Sequence, residues 1–415
     1  MALARFQWMA GNLGFYGYDR LADYVASSVT QAGMVLQYDP ALGLPDPTVV
    51  AAEVSFTFSG ATSYVIESGP QAGQVRFTGG ALTGITWSNA LGEEMLTVTG
   101  LNILLPIFLA TLERGDSFSA WAMVMRGANT LLGSAGASGL GQSGTGDAID
   151  TGIAADVVMA AGGDDYVKDK GGADSYDGGN GYDTLAYDAW FFQPQGCVRG
   201  VAVDLVLGTA TGPDGAADTI IGFEAVTGTF RQDQFRGDGI ANKFSGMAGA
   251  DRIDGRGGFD FASYALDATQ GGTDGVRVNL ATGNGRDGFG NLDRLISIEA
   301  VEGTAAADSF TDNGANNYFD GGAGNDIFRF SGGNDTGHGG AGADVFLFKG
   351  FAYDDDTIDD FSSAEGDVIL FDAATSFAEL RLVNVPGGVN VQFGSGAVTL
   401  VGLTVVQLQA SDFGF

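Results

Sequence analysis

The residues best placed to do chemistry in this chain are aspartates that recur every nine positions. Asp147, Asp156, Asp165, Asp174 and Asp183 share one register; a second block puts Asp233, Asn242, Asp251 and Asp260 in the same slot, and a third Asp308, Asn317, Asp326, Asp335 and Asp344. Two places after each acid stands an apolar residue, from Ile149 to Leu185, Phe235 to Ala262 and Phe310 to Phe346, with Gly337 as the exception. Periodic acids held close together repel, by ~1 kcal/mol at about 5 Å in water and several at lower effective dielectric. Such an array is suited to gathering cations.

The elements that must position these acids follow from the row itself. Gly178 to Ala186 reads Gly-Gly-Asn-Gly-Tyr-Asp-Thr-Leu-Ala. Glycine reaches positive φ at little cost, so Gly-Gly-x-Gly makes a turn, and the three residues after the acid form one short strand with only its middle side chain inside. Two turns and two strands close a flat coil, which stacks residue i above residue i+18 at about 4.8 Å. Six stacked pairs then carry aspartate at both ends (147/165, 165/183, 156/174, 233/251, 308/326 and 326/344), and 242/260 and 317/335 carry one asparagine each. Calcium takes six to eight hard oxygens in flexible geometry, whereas magnesium demands a tighter octahedron and keeps its water. Aspartates and turn carbonyls of successive coils suit calcium, with six strong sites and two weaker ones expected. The glycines of these turns are Gly163, Gly172, Gly179, Gly181, Gly249, Gly258, Gly322, Gly324, Gly333, Gly340 and Gly342. The alternative is a metal-free solenoid whose acids only cap glycine turns, where asparagine or serine would serve as well.

Gly321 to Arg329 and Gly339 to Leu347 fit the full Gly-Gly-x-Gly-x-Asp-x-apolar-x row, and over about two thirds of its length the chain resembles the RTX, or haemolysin-type calcium-binding, family. The resemblance implies a parallel β-roll holding several calcium ions. Further on, Asp356-Thr-Ile-Asp-Asp-Phe361 is similar to the closing strand of RTX proteins and serralysin-type proteases, and the ending Ser411-Asp-Phe-Gly-Phe415 resembles the C-terminal signal of type I secretion substrates. The resemblance therefore also implies passage through a type I secretion apparatus and folding outside the cell.

Composition agrees with an acidic roll. Of 51 acidic residues 41 are aspartate, against 19 lysines and arginines, for a net charge of −32, and 36 of the aspartates follow residue 140. Such a field disfavours nucleic acid as a partner. A single cysteine, Cys197, excludes an intrachain disulfide framework. The start lacks the basic and apolar regions of a cleavable signal peptide, and the apolar run Leu101 to Leu112, broken by Pro106, is too short to span a membrane.

Residues 1–123 are expected to form a separate β-rich domain, with strands at Val54–Phe58, Gln74–Phe77, Gly84–Trp87 and Met95–Val98. Asp19 to Val29, with Leu21, Tyr24, Val25 and Val29 at helical spacing, is expected to form a helix. Trp8, Tyr16, Tyr18, Tyr24 and Trp87 could line a carbohydrate surface, although such residues more often form core. The roll spans 124–353, with insertions at 187–227 and 264–302, and 354–415 forms a cap. The insertions are duplicates: Ile221-Gly-Phe-Glu-Ala-Val-Thr-Gly-Thr229 parallels Ile296-Ser-Ile-Glu-Ala-Val-Glu-Gly-Thr304 at an offset of 75, which makes them wider coils in the same stack, with Glu224 and Glu299 as solvated or backbone-capping acids.

His338 is the sole histidine, which excludes an H-E-x-x-H zinc site and a Ser-His-Asp triad elsewhere on the chain, and no Gly-x-Ser-x-Gly elbow occurs. The expectation is an all-β, secreted calcium-binding protein that is not an enzyme, acting in a surface, matrix or adhesion role with cell-surface polysaccharide or copies of itself as partners. A secreted carbohydrate-active enzyme or lectin with its site in residues 1–123 is the alternative.

Overall fold

Three-residue strands separated by six-residue turns are what a nine-residue row permits, and the computed structural model of the protein has that form. It describes residues 148–151, 153–188, 199–350 and 354–415, and six strands before residue 133 by their backbones; Asp147, Cys197, Trp8, Tyr16 and Tyr18 lie outside the described residues. Regular structure is all-β apart from short 3-10 turns among the described residues. Two compact units are present, Met1–Gly196 with Gly208–Ala225, and Cys197–Leu207 with Val226–Phe415.

In the first unit, Ala148–Asp150, Tyr166–Lys168 and Thr184–Ala186 stack in parallel at the eighteen-residue step, Ile149 facing Val167 and Val167 facing Leu185. Thr130–Leu132, Val157–Met159 and Ser175–Asp177 form the opposite parallel stack. Thr130–Leu132 also pairs antiparallel with Glu94–Leu104, the last strand of an antiparallel meander with Val75–Ser88, Glu53–Val65, Gly33–Tyr38 and Tyr24–Val29. Two expectations are corrected there. Tyr24–Val29 is a strand and not part of a helix, because a hairpin partner at Gly33–Tyr38 takes up its backbone and its valines favour extended structure. Of the segments Gln74–Phe77 and Gly84–Trp87, residues 75–77 and 84–87 belong to one strand, Val75–Ser88, which stays paired across irregularities in register.

In the second unit the same step recurs: Gln234–Arg236 on Arg252–Asp254, Ser309–Thr311 on Ile327–Phe330, and Ile327–Phe330 on Val345–Phe348. In Gln234–Arg236, Ser309–Thr311 and Tyr318–Asp320 the middle side chain is buried and its neighbours are more exposed, as pleating requires. Phe310, Phe328 and Phe346 stack at 5.3 and 4.8 Å between ring centroids, parallel to Phe330, Phe348 and Phe371 at 5.2 and 5.5 Å. Gly337 fits this column because a Cβ there would come within 3.1 Å of both the Phe330 and Phe346 rings.

Each insertion carries a hairpin arm and several strands that join the parallel stacks. Ala217–Ile221 stacks in parallel on Ser175–Asp177 and pairs antiparallel with Thr209–Thr211. Leu292–Ile296 does the same with Arg252–Asp254 and Asn284–Arg286. At the C-terminal end Asp355–Ile358 continues from Thr336–His338, and Val368–Phe371 from Val345–Phe348. The meander Arg381–Val385, Gly388–Phe393 and Gly396–Val401 and the short strand Phe413–Gly414 complete this end.

Candidate metal centre

The turn glycines are held to their identity by the coil beneath. Gly181 has φ +144° and Gly342 φ +147°, and a Cβ would lie 1.9 Å from the Gly163 carbonyl oxygen at the first and 1.5 Å from that of Gly324 at the second. Gly172, Gly249, Gly258, Gly324 and Gly333 meet the carbonyls of Ala154, Arg231, Ile240, Ala306 and Ala315 in the same way. Those five residues, with Thr145, are the places where the row lacks its third glycine. They fall in the first two rows of each block, whose turns have no nine-residue row eighteen positions earlier to press on them. Positive φ also occurs at Gly163, Gly179, Gly322 and Gly340. Part of the expected carbonyl set is already engaged, since the Gly322 oxygen accepts the Ala341 N–H at 2.9 Å and the Ala161 oxygen that of Asn180 at 3.1 Å.

The acids form ladders. In the first unit the N–H of Asp156 donates to Asp174 Oδ1 at 2.6 Å, and that of Asp165 to Asp183 Oδ1 at 2.8 Å. In the second unit Asp233 donates to Asp251, Asn242 to Asp260, Asp308 to Asp326, Asn317 to Asp335 and Asp326 to Asp344, all at 2.7–2.8 Å. One oxygen of each carboxylate is thus turned back along the stack. Asn242 and Asn317 occupy the slot as neutral members, their side-chain oxygens accepting from Asp238 and Asn313.

The other oxygen carries the argument for a cation. Oδ2 of Asp183, Asp251, Asp260, Asp326, Asp344 and Asp356 is buried without a hydrogen-bond partner. In the first five it sits over the first glycine of its own row, where a Cβ at Gly246 or Gly321 would be 2.3 Å from Oδ2 of Asp251 or Asp326, and one at Gly339 2.4 Å from that of Asp344. A buried, unpaired carboxylate oxygen is costly. Burial accordingly pushes the carboxyls up, Asp183 and Asp260 to about 7, Asp326 to about 8 and Asp344 to about 6, with neighbouring acids adding to the effect and the ladder N–H opposing it. Hard oxygens in glycine-walled cradles fit calcium: the aspartate ladder would hold it, with turn carbonyls completing the shell. The ion would neutralise the stacked charge.

The ladders extend beyond the nine-residue frame. Asp174 donates to Asp218 Oδ1 and Asp251 to Asp293 Oδ1, both at 2.9 Å, while Asp335 and Asp344 donate to Asp356 and Asp367 at the same distance. Glu224 and Glu299 cap the N–H of Asp183 and Asp260 at 2.9 and 3.0 Å, the second of the two roles expected of them. Sequence reasoning missed the four aspartates because their spacing is 44, 42, 21 and 23 residues. The signal was present in Asp218-Thr-Ile, Asp293-Arg-Leu, Asp356-Thr-Ile and Asp367-Val-Ile, each an acid two places before an apolar residue. His338, at the edge of the roll, pairs with Asp359 at 2.8 Å and Asp360 at 3.3 Å. These carboxylates raise its basicity against the opposing effect of burial.

No helix among the described residues is long and apolar enough to cross a membrane. No family model matches the chain, and no curated protein matches it. Among solved structures it is similar to the crystal structure of the extracellular lipase LipA from Serratia marcescens, at 16% identity, over 46% of this chain and 40% of that one, with a TM-score of 0.20. The chain therefore matches less than half the length of that protein. The structure it matches is that of a lipase, so the expectation that this protein is not an enzyme is withdrawn; at this similarity the match assigns the chain no activity.

Proposed function

We propose that this is a secreted, RTX-type calcium-binding protein whose repeats become ordered when calcium enters the aspartate ladders. The observation that carries the reading is the set of buried Oδ2 atoms without partners, those of Asp183, Asp251, Asp260, Asp326 and Asp344 each over the first glycine of its row. If calcium binds only the folded state, each site stabilises it by RT ln(1 + [Ca]/Kd), about 1.4 kcal/mol at ten times Kd. Six to eight sites would together contribute ~10 kcal/mol, comparable to the whole stability of a domain. Low calcium inside a cell would keep the repeats unfolded and exportable through a type I apparatus, and millimolar calcium outside would fold them. The same proposal divides the chain into a domain at 1–123, the roll at 124–353 and a cap with export signal at 354–415. It places the protein at a cell surface or in a matrix, with polysaccharide or further copies of itself as partners.

Circular dichroism of the full chain during a calcium titration tests this. A cooperative gain of β signal and of thermal midpoint with calcium is expected. A chelated sample with the same β signal and the same midpoint would overturn the proposal.

A further inference from the structure

Resting on the calcium reading above, we infer a further calcium site at the side of a turn ladder, where Asp169 joins the rungs Asp174 and Asp218 and the first insertion's hairpin arm meets the roll. Asp169 stands at the first position of its row, where Gly178, Gly246, Gly321 and Gly339 stand in others. It is fully buried, and Asp174 and Asp218 are each 3% exposed. One carboxylate oxygen from each lies within 4.8 Å of the others. Oxygens bound to one calcium at 2.3–2.6 Å can be up to about 5 Å apart, so a single ion can touch all three.

The second observation is what remains after every bond in the cluster is assigned. Asp169 Oδ1 accepts the Gly171 N–H, and Asp218 Oδ1 accepts that of Asp174 at 2.9 Å. Asp174 takes the Asp156 N–H on Oδ1 and the Tyr176 hydroxyl on Oδ2 at 2.7 Å, which fixes its plane. Oδ2 of Asp169 and Oδ2 of Asp218 are left buried without a partner. Both face Gly212 of the hairpin arm, where a Cβ would lie 3.5 Å from the first and 3.9 Å from the second. The duplicated insertion closes the corresponding corner differently: Asp293, 75 residues after Asp218, receives the Tyr264 hydroxyl on Oδ2 at 3.1 Å. Three buried carboxylates, two with a bare oxygen, make a site for a hard divalent cation; calcium fits better than magnesium because no coordinated water need be kept. The ion would tie the hairpin arm to the roll.

Native mass spectrometry of the full chain at saturating calcium tests the site. Asp169→Gly, which restores the glycine of the other rows, is expected to bind one ion fewer than wild type. Asp218→Asn, which keeps the acceptor for the Asp174 N–H, is expected to lose the same ion and serves if the first variant does not fold. Asp177→Asn, on the strand but outside the cluster, should leave the count unchanged. Variants at 169 and 218 that both match the wild-type count would overturn the site and show the acids sharing protons instead. A wild-type protein that binds no calcium at all would sink the ladder reading together with this site, whereas unchanged counts in the variants sink the site alone, so the two failures are distinguishable.

Discussion

Replacing Asp326 by asparagine should change stability in opposite directions with and without calcium. Asp326 lies between Asp308 and Asp344 on one ladder, accepting from the first and donating to the second. Asparagine keeps the acceptor for Asp308 and already occupies the equivalent slot at 242 and 317. With calcium, loss of the charge weakens two ions, each contributing about 1.4 kcal/mol at ten times Kd, so a loss of ~3 kcal/mol is expected. Without calcium the sign reverses. Burial raises the Asp326 carboxyl from 3.8 to about 8, so at pH 7.4 the wild-type fold must bury a proton or a bare charge. Each pH unit above the ordinary value costs ~1.4 kcal/mol, a ceiling of ~5 kcal/mol, less ~1–3 kcal/mol for burying the new amide N–H groups. The chelated variant should therefore be more stable than chelated wild type by roughly 2–4 kcal/mol. Urea unfolding of both proteins in calcium and in chelator measures all four values. A variant less stable than wild type in both conditions would refute the reasoning, because the carboxylate would then be a structural cap and not a cation ligand.

The raised carboxyls of Asp183, Asp260 and Asp326, at about 7, 7 and 8, make the chelated fold bind more protons than the unfolded chain. Their contribution is full below about pH 4 and lost as pH rises through 7 to 8, so the chelated thermal midpoint should be higher at pH 5 than at pH 8; the opposite order would contradict it. Calcium should remove or reverse this trend, because its ligands must be deprotonated. Gly342→Ala forces a Cβ against the Gly324 oxygen at φ +147° and should cost about 2–4 kcal/mol, whereas Ala306→Gly should cost less than about 1 kcal/mol; equal effects in thermal unfolding would remove the stacking argument. Asp356→Ala removes the acceptor for Asp335 N–H and should cost about 1–3 kcal/mol, read as faster hydrogen exchange in Asp355–Ile358, with unchanged exchange there as the contrary result.

The repeat was legible because its physics is local. A strand of three residues with one inward side chain, a glycine turn and an eighteen-residue step leave little freedom, and Ile149, Val167 and Leu185 align in the structure as their spacing requires. Even the rows without a third glycine follow the same rule, once the carbonyl of the coil beneath is taken into account. Legibility ended where contacts became long-range. Asp218, Asp293, Asp356 and Asp367 enter the ladders only because a hairpin or the cap brings them there, and Asp169 joins Asp218 across the first insertion. Tyr24–Val29 has helical spacing but lies beside a strand that claims its backbone, so pairing overrode periodicity.

The central claim is that a divalent cation takes the second oxygen of those ladder aspartates whose Oδ2 is buried without a partner. A crystal structure of the full chain grown in calcium, with data collected at a wavelength long enough for calcium anomalous scattering, tests it most directly. The account predicts anomalous peaks about 2.3–2.6 Å from Oδ2 of Asp183, Asp251, Asp326 and Asp344. Ladders ordered as described, with only water beside those oxygens, would contradict it.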